Sequence, residues 1–334
     1  MIRIAIDAMG GDHAPAVPVA GAALAIGELP PDVSLQLVGQ SRVLERELER
    51  HALDRAHLEV VEAPDVIGMA EKPLQALRAK RRSSIGVGVE LQKAGGSDAF
   101  ISAGNTGAVM AASTLVLGLY EGFERPAIGT PFPTSRQSVL VLDAGANVDC
   151  SARELVGFAR LGLLYARDVM GRPNPAVGLL NIGEEEEKGN TAAKEAHRLL
   201  RDSGLPFVGN VEGRHILLGR CEQGDFDVVV CDGFVGNVLL KFYESVARLF
   251  HGLVERELGA DLASGEAMGR IFRALDYSEY GGAPLLGIRG VSIICHGRST
   301  PNAIRHAIRV AVEATQHQLV QHMAREFSQT KADA

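Results

Sequence analysis

Short apolar runs rich in β-branched residues recur along the chain, separated by stretches whose apolar positions repeat every three or four residues. The runs are Ile2 to Ile6, Leu35 to Val38, Leu58 to Val61, Ala99 to Ser102, Val139 to Leu142, Val177 to Ile182, Val228 to Cys231 and Val291 to Cys295. They are continuous rather than alternating, as strands covered on both faces are. The pattern predicts an α/β fold in which a largely parallel sheet lies between helices, a Rossmann-like α/β/α sandwich.

At 334 residues the chain exceeds the size at which single cores stop growing, so two lobes with a cleft between them are expected. Proline breaks elements, which makes Arg125 to Arg136, with Pro126, Pro131 and Pro133, the expected crossing between lobes. A second crossing is placed at Tyr280 to Gly287. The first lobe is then 1–130 plus 288–330, closed by a last strand and a helix from Pro301 to about Arg325. The second lobe is 131–287 with peripheral and dimerisation helices, and 331–334 is read as a disordered tail.

Hydrophobic residues make up 46% and aromatics 5%, and the net charge is −7. That balance argues against a general nucleic-acid binder, which needs a basic surface. Cys150, Cys221, Cys231 and Cys295 form no C-x-x-C pair and read as reduced, buried thiols. The N-terminus opens directly on a strand without the order of a signal peptide, so the expected location is the cytoplasm. The longest apolar run, Gly107 to Tyr120, is shorter than the roughly 20 residues of a membrane helix and reads as a core helix.

Five glycine-containing loops follow strands, where α/β proteins keep their chemistry. Asp7, Gly10, Gly11 and Asp12 lie after the first strand, with glycines that permit close ligand approach or simply a tight turn. In the second loop, Ser102, Gly104, Asn105 and Thr106 precede an apolar helix whose open end can bind phosphate or be plainly capped. Asp143 and Asn147 lie in a third. Asn181, Gly183, Lys188 and Asn190 flank four glutamates, and Lys188 can neutralise a phosphate or pair with one of them. The glutamates read as a solvated run, and neither a metal site nor a cofactor site is expected. Asp232, Gly233, Gly236 and Asn237 lead a long helix. There Asn237 can donate to an oxyanion and Lys241 can reach the same side, or Asp232 is a cap and Lys241 a solvated residue. His296, after the last core strand, is a candidate proton shuttle or a structural histidine.

Dinucleotide, Walker A, nucleophile-elbow and zinc-peptidase signatures are absent, which favours chemistry without a covalent nucleophile or a metal. Arg78, Lys80, Arg81 and Arg82 are the densest basic cluster and suit an acidic carrier, or form a solvated helix face. Leu262 to Leu275 places Met268, Ile271, Phe272 and Leu275 on one side, flanked by Arg270 and Arg273, for core packing, a dimer contact or a membrane surface.

The motifs Asp7-Ala-Met-Gly-Gly-Asp-His-Ala-Pro15, Ser102-Ala-Gly-Asn-Thr-Gly-Ala108, Leu142-Asp-Ala-Gly-Ala-Asn-Val-Asp-Cys150, Gly178-Leu-Leu-Asn-Ile-Gly-Glu-Glu-Glu186, Lys188-Gly-Asn190, Gly209-Asn-Val-Glu-Gly213 and Val230-Cys-Asp-Gly-Phe-Val-Gly-Asn-Val238 span nearly the whole chain. In these the sequence closely resembles the bacterial phosphate acyltransferases of phospholipid synthesis, the PlsX family. The resemblance implies transfer of a fatty acyl group from acyl carrier protein to inorganic phosphate, giving an acyl phosphate for a membrane glycerol-phosphate acyltransferase. It also implies a homodimer, a fold related to phosphotransacetylases and the isocitrate dehydrogenase group, and peripheral membrane contact through a basic helical tip. The region matching that tip, Gly259 to Leu275, is here short, acidic at Asp261 and Glu266, and contains Gly265 and Gly269. On this reading the 102–107 loop binds phosphate, Lys188 draws phosphate and thioester together, and Asn237 stabilises the oxyanion. A phosphotransacetylase acting on a short acyl-CoA and a non-catalytic scaffold binding the carrier are the rival readings, with a decarboxylating dehydrogenase last.

Overall fold

The computed structural model describes residues 1–51, 55–135, 137–259, 265–275 and 281–329. The expected tail at 331–334, Asp261 and Leu262 of the tip, and Tyr280 lie outside them. The chain divides into two compact units, unit 1 made of Met1–Pro126 with Tyr280–Ala334 and unit 2 of Ala127–Glu279.

Unit 1 contains β1 (Ile2–Asp7), α1 (Ala16–Ile26), β2 (Val33–Gly39), α2 (Ser41–Leu48), β3 (Leu58–Glu62), α3 (Pro73–Ala79), α4 (Ser84–Lys93), β4 (Ala99–Ser102) and α5 (Thr106–Leu117). Its strands run in the order β3-β2-β1-β4 and continue into β13 (Ser292–Ile294) and β12 (Ala283–Leu286) from the returning segment. All pair in parallel except β12, which is antiparallel to β13. Ile4, Ile6, Leu35, Leu37, Phe100 and Ile101 are fully buried, as strands with both faces covered require. The helices sit close because glycine lets them: a Cβ on Gly88 of α4 would lie 2.2 Å from the Phe100 ring.

Unit 2 contains β5 (Ala127–Phe132), β6 (Val139–Leu142), α6 (Ala152–Asp168), β7 (Val177–Leu180), α7 (Thr191–Asp202), β8 (Phe207–Val211), α8 (Gly213–Ile216), β9 (Arg220–Cys221), β10 (Gly224–Asp225), β11 (Val228–Val230), α9 (Gly233–Leu258) and α10 (Glu266–Leu275). Its strand order is β5-β6-β11-β7-β8, with only β5 antiparallel to its neighbour, while β9 and β10 form a separate hairpin. A cluster of Phe132, Val141, Val211, Phe226, Val229 and Tyr243 fills the core on one side of the sheet.

The units change over after Pro126 and after Glu279, at or beside the two stretches expected to hold the crossings, but three details differ from the sequence reading. Half of the proline-rich 125–136 stretch is strand β5 rather than connection. Pro131 faces Leu140 across the β5–β6 ladder, and the Leu140 N–H donates instead to the Asp227 carbonyl. Pro131 therefore sits where β6 asks for no donor, and its missing N–H costs that ladder nothing. The 280–287 stretch likewise contains β12, with Pro284 in its second position. The final helix is two, α11 (Pro301–Gln316) and α12 (Leu319–Gln329), broken where Gln318 takes a left-handed φ of 54°.

Candidate functional site

In unit 1 the loop after β1 and the loop after β4 emerge from adjacent strands and share one hydrogen-bond chain. The Gly104 N–H donates to Ser102 Oγ at 3.0 Å, and the Ser102 hydroxyl donates to Asp7 Oδ2 at 2.6 Å. Asp7 is wholly buried. Burial pushes its carboxyl up from the usual range, while bonds from the Ser102 and Ser84 hydroxyls and the Met9 and Gly10 amides work the other way. A Cβ on Gly10 would lie 2.3 Å from Asp7 Oδ2 and 2.7 Å from Gly104 N, so that glycine is required by the seam between the two loops. Asp7, Gly10, Ser102 and Gly104 therefore brace the loops from inside.

Asn105 caps α5, its Oδ1 accepting from the Ala108 N–H at 3.0 Å. Its Nδ2 donates to the carbonyls of Gly68, Met69 and Glu71. The side chain is thus committed to holding the 68–71 loop, and what the position offers to solvent is the first turn of α5 with Thr106 exposed. The first amides of a helix have no intrahelical partner, and the cap satisfies only the third. The backbone of Asp12 donates to Gly297 O at 2.7 Å, and Asp12 Oδ2 lies 3.7 Å from Arg298 Nε. This brings the loop after β13, with the exposed His296, alongside Gly11 and Asp12; His296 Nδ1 accepts from the Arg298 N–H.

The basic cluster divides. Arg78, Arg81 and Arg82 are exposed, but Lys80 donates to Val66 O at 2.8 Å and to Glu71 Oε1 at 2.5 Å. Lys80 is a tie within the 66–71 loop, a correction to its reading as one of four free cations. Its hydrogen bond, and next the Gly68 amide, hold the Glu71 carboxyl below its ordinary value.

In unit 2 the loops after β6, β11 and β7 come from three neighbouring strands. Asp143 is wholly buried and receives five donors: Ile128, Gly145 and Ala146 amides on Oδ1, and the Asn147 amide and side chain on Oδ2. Burial raises its pKa and the amide bonds oppose the rise. The α9 N-terminus is seated directly on this loop: a Cβ on Gly233 would lie 2.2 Å from Asn147 O, and one on Gly236 1.9 Å from Asp143 O. Asp232 caps the helix through the Phe234 N–H at 2.8 Å and also accepts from Cys150 N at 2.7 Å. Both carboxylate oxygens therefore hold the loops together. Asn237, one turn on, is exposed beside Gly145. Lys241 pairs with Glu244 on its own helix.

The loop after β7 is built around Asn181, which accepts from Ile182 N at 2.8 Å and donates to Lys188 O at 3.1 Å. Gly189, at φ 88°, turns the chain where a Cβ would strike Asn181 Oδ1 at 2.6 Å. Asn190 caps α7 through Ala193 N. Lys188 is exposed, its Nζ 3.9 Å from Glu185 Oε1, a loose solvated pair of little energetic weight. Two of the four glutamates are more than a solvated run: Glu184 lies 3.5 Å from His215 and 4.0 Å from Arg214, and Glu186 lies 3.8 Å from His197 and 2.8 Å from Arg201. Sequence reasoning missed these basic partners because only the folding back of α7 and α8 onto the loop brings them to the glutamates. Among the described residues no group of His, Cys, Asp and Glu is arranged to hold a metal ion.

A cavity of about 890 Å³ opens between the loops after β7 and β11 and the first turns of α7 and α9. Its lining runs from buried Leu155, Leu179 and Cys231 out to exposed Ile182 and Phe234, and includes Asn181, Gly189, Asn190 and Asp232. Burial pushes the Cys150 thiol on its wall up to about 12. The sequence marked its polar rim, Asn181, Asn190 and Asp232, but not its depth, because most of the other lining residues are ordinary aliphatics.

The profile of a family described as "Fatty acid synthesis protein" matches residues 2–322. A phosphate acyltransferase of Desulforamulus reducens is 48% identical over 326 residues, covering 96% of both chains. Of solved structures, a phosphotransacetylase from Streptococcus pyogenes superposes with a TM-score of 0.64 over 96% of this chain and 94% of its own, at 15% identity. A 4-hydroxythreonine-4-phosphate dehydrogenase from Klebsiella pneumoniae gives 0.53 over 95% and 98%, also at 15%. At such identities these two likenesses concern the fold alone.

Proposed function

This chain belongs to the phosphate acyltransferase family, and on that premise we propose that it transfers a long-chain acyl group from acyl carrier protein to inorganic phosphate, reversibly. A phosphate oxygen attacks the thioester carbon, the C–O bond forms as the C–S bond breaks, and the carrier thiol leaves with the proton of hydrogen phosphate. The products are an acyl phosphate, passed to a membrane glycerol-phosphate acyltransferase, and the free carrier. The observation that carries the reading is the 48% identity to a phosphate acyltransferase along 96% of both chains.

Roles follow from what each loop leaves exposed. In unit 1 the first turn of α5, with Thr106 and a braced loop behind it, binds phosphate at its positive end. In unit 2 Lys188 supplies the mobile cation, and Asn237 donates to the oxygen that becomes negative in the tetrahedral transition state. Asp7, Ser102, Asn105, Asp143 and Asp232 are positioning residues, since their polar atoms are bound within the protein, and Asn190 positions the start of α7 through its Oδ1. Exposed Arg78, Arg81 and Arg82 steer the acidic carrier. Phe234, Val238, Phe242, Leu249 and Leu253 are exposed on one face of α9, an apolar stripe that supports a homodimer. Among the described residues no helix is long and apolar enough to cross a membrane, so contact with the membrane enzyme is peripheral on this reading.

The test is a purified-protein assay with palmitoyl carrier protein and phosphate, following free thiol and trapping acyl phosphate with hydroxylamine, with palmitoyl-CoA in parallel. Phosphate-dependent thiol release from the carrier substrate is the expected result. Release from the CoA thioester alone would make the protein a phosphotransacetylase, and silence with both donors would refute the transfer.

A further inference from the structure

Resting on the acyl-transfer reading above, we propose that the unit 2 cavity seats the alkyl chain of the donor acyl group, and that Ala192 on the first turn of α7 sets the length it accepts. Ligand pockets span roughly 300–1,000 Å³, so a volume of about 890 Å³ is large for a short acyl group and suits a long one. The wall is mainly aliphatic, with a buried floor of Leu155, Leu179 and Cys231. Both amide atoms of Asn181, both carboxylate oxygens of Asp232 and Oδ1 of Asn190 already have partners within the protein. The polar groups left over in the lining, the exposed Asp149 carboxylate and Asn190 Nδ2, are too few to read a sugar or a nucleotide. Burial pushes both thiols in the wall, Cys150 and Cys231, upward, so they stay neutral and behave as apolar surface.

Position argues the same way. Gly189 and Asn190 in the lining directly follow Lys188. A thioester carbonyl held at Lys188 therefore has its tail at the rim of an apolar cavity, where each seated methylene strengthens binding about fourfold. Ala192 is half-buried and lines the same cavity. It neither caps a helix nor belongs to the fully buried core, so a larger side chain there occupies the cavity while leaving the fold's own contacts in place.

The experiment titrates alkylphosphonates of four to sixteen carbons, below their micelle concentrations, into the whole protein by calorimetry. These imitate an acyl phosphate and need no turnover. Affinity is expected to rise about fourfold per methylene and then level off. In Ala192→Phe the levelling comes at a shorter chain: the sixteen-carbon probe binds at least about tenfold more weakly, with the four-carbon probe changed less than about twofold. Ala192→Leu, with a smaller shift in the same direction, serves if the Phe variant unfolds early. An affinity indifferent to chain length, or an equal loss for all probes in both variants, would overturn the proposal. So would an unchanged affinity series accompanied by altered light-scattering mass, which would assign the surface to a second copy of the chain. Chain-length-dependent binding without phosphate-dependent thiol release would retain the cavity and reject the transfer reaction. Thiol release with a flat affinity series would do the reverse.

Discussion

Replacing Gly236 by Ala sets two general effects against each other in one helix. Alanine is the better helix former by about 1 kcal/mol, so the change should stabilise an unobstructed α-helix. At Gly236 the new Cβ would lie 1.9 Å from the Asp143 carbonyl oxygen and 3.1 Å from Ala144 Cα. Ordinary contact begins at 3.4 Å, and the obstacles are backbone atoms, so the helix end has to retreat by more than an ångström. That retreat stretches the Asp232 bonds to Phe234 N and Cys150 N. Overpacking costs about 1–3 kcal/mol and a lost cap about 1 kcal/mol. Set against the propensity gain, the expected loss is about 1–3 kcal/mol, or a fall of roughly 2–12 °C in Tm. Gly252, in the same helix with nothing within 4 Å of its built Cβ, is the control, where Ala should stabilise by about 0.5–1 kcal/mol. The chain has no Trp, so urea and thermal unfolding are followed by circular dichroism. Misplacing Asn237 by about 1 Å should also lower kcat/KM by about 100-fold. A Gly236→Ala protein as stable as Gly252→Ala, with wild-type turnover, would refute the seating of α9 on the Asp143 loop.

Asn237→Ala should cut kcat by about 100-fold to 1000-fold, about 3–4 kcal/mol, as loss of one oxyanion donor does; near wild-type turnover would remove Asn237 from the chemistry. Glu71 has its pKa lowered by Lys80, so its contribution to stability is present above the unfolded value of 4.5 and fades as pH falls through the lower folded value. The stability difference between wild type and Glu71→Gln should therefore shrink on acidification below pH 4.5, and a difference that grows there in urea titrations contradicts the Lys80 tie. Reversing Arg78, Arg81 and Arg82 to Glu should slow carrier association and reduce its salt dependence while leaving the KM for phosphate unchanged. Stopped-flow rates at two ionic strengths give the answer, and unaltered association would place carrier docking elsewhere.

The parallel strands were legible because burial on both faces leaves continuous runs such as Leu35 to Val38 and Val139 to Leu142, and sequence places the loops that follow them. The edge strand β8 and the short β9–β10 hairpin escaped because they lack a long apolar run; β5 and β12 escaped because each contains a proline, and whether its missing donor matters depends on the neighbour it faces. That neighbour is fixed by pairing across the sheet, as Leu140 shows for Pro131. Caps were readable at Asn105 and Asp232, since Asn and Asp before an apolar helix are local signals. Their second commitments were not: the three carbonyls held by Asn105 and the Cys150 amide held by Asp232 belong to segments 34 or more residues away. Lys80 looked free in the sequence although its partners Glu71 and Val66 are near in the chain, because the turn that brings the 66–71 loop back to it has no local signal.

Unit 1 is assembled from both ends of the chain, and this bears on how the protein is born. On a ribosome β4 is made early, but the strand that pairs with its far side, β13, begins at Ser292. Elongation at about 5–20 residues per second leaves that edge open for roughly 10–40 s. All residues of unit 2 are synthesised in the meantime, so it can fold while unit 1 is still an unfinished sheet. The buried sequence Ala99-Phe-Ile-Ser102 then presents an apolar, unpaired strand edge to solvent. Nascent chains of this protein should need a chaperone during that interval, and truncations ending between Gly281 and Ser292, which keep all of unit 2, should aggregate through β4.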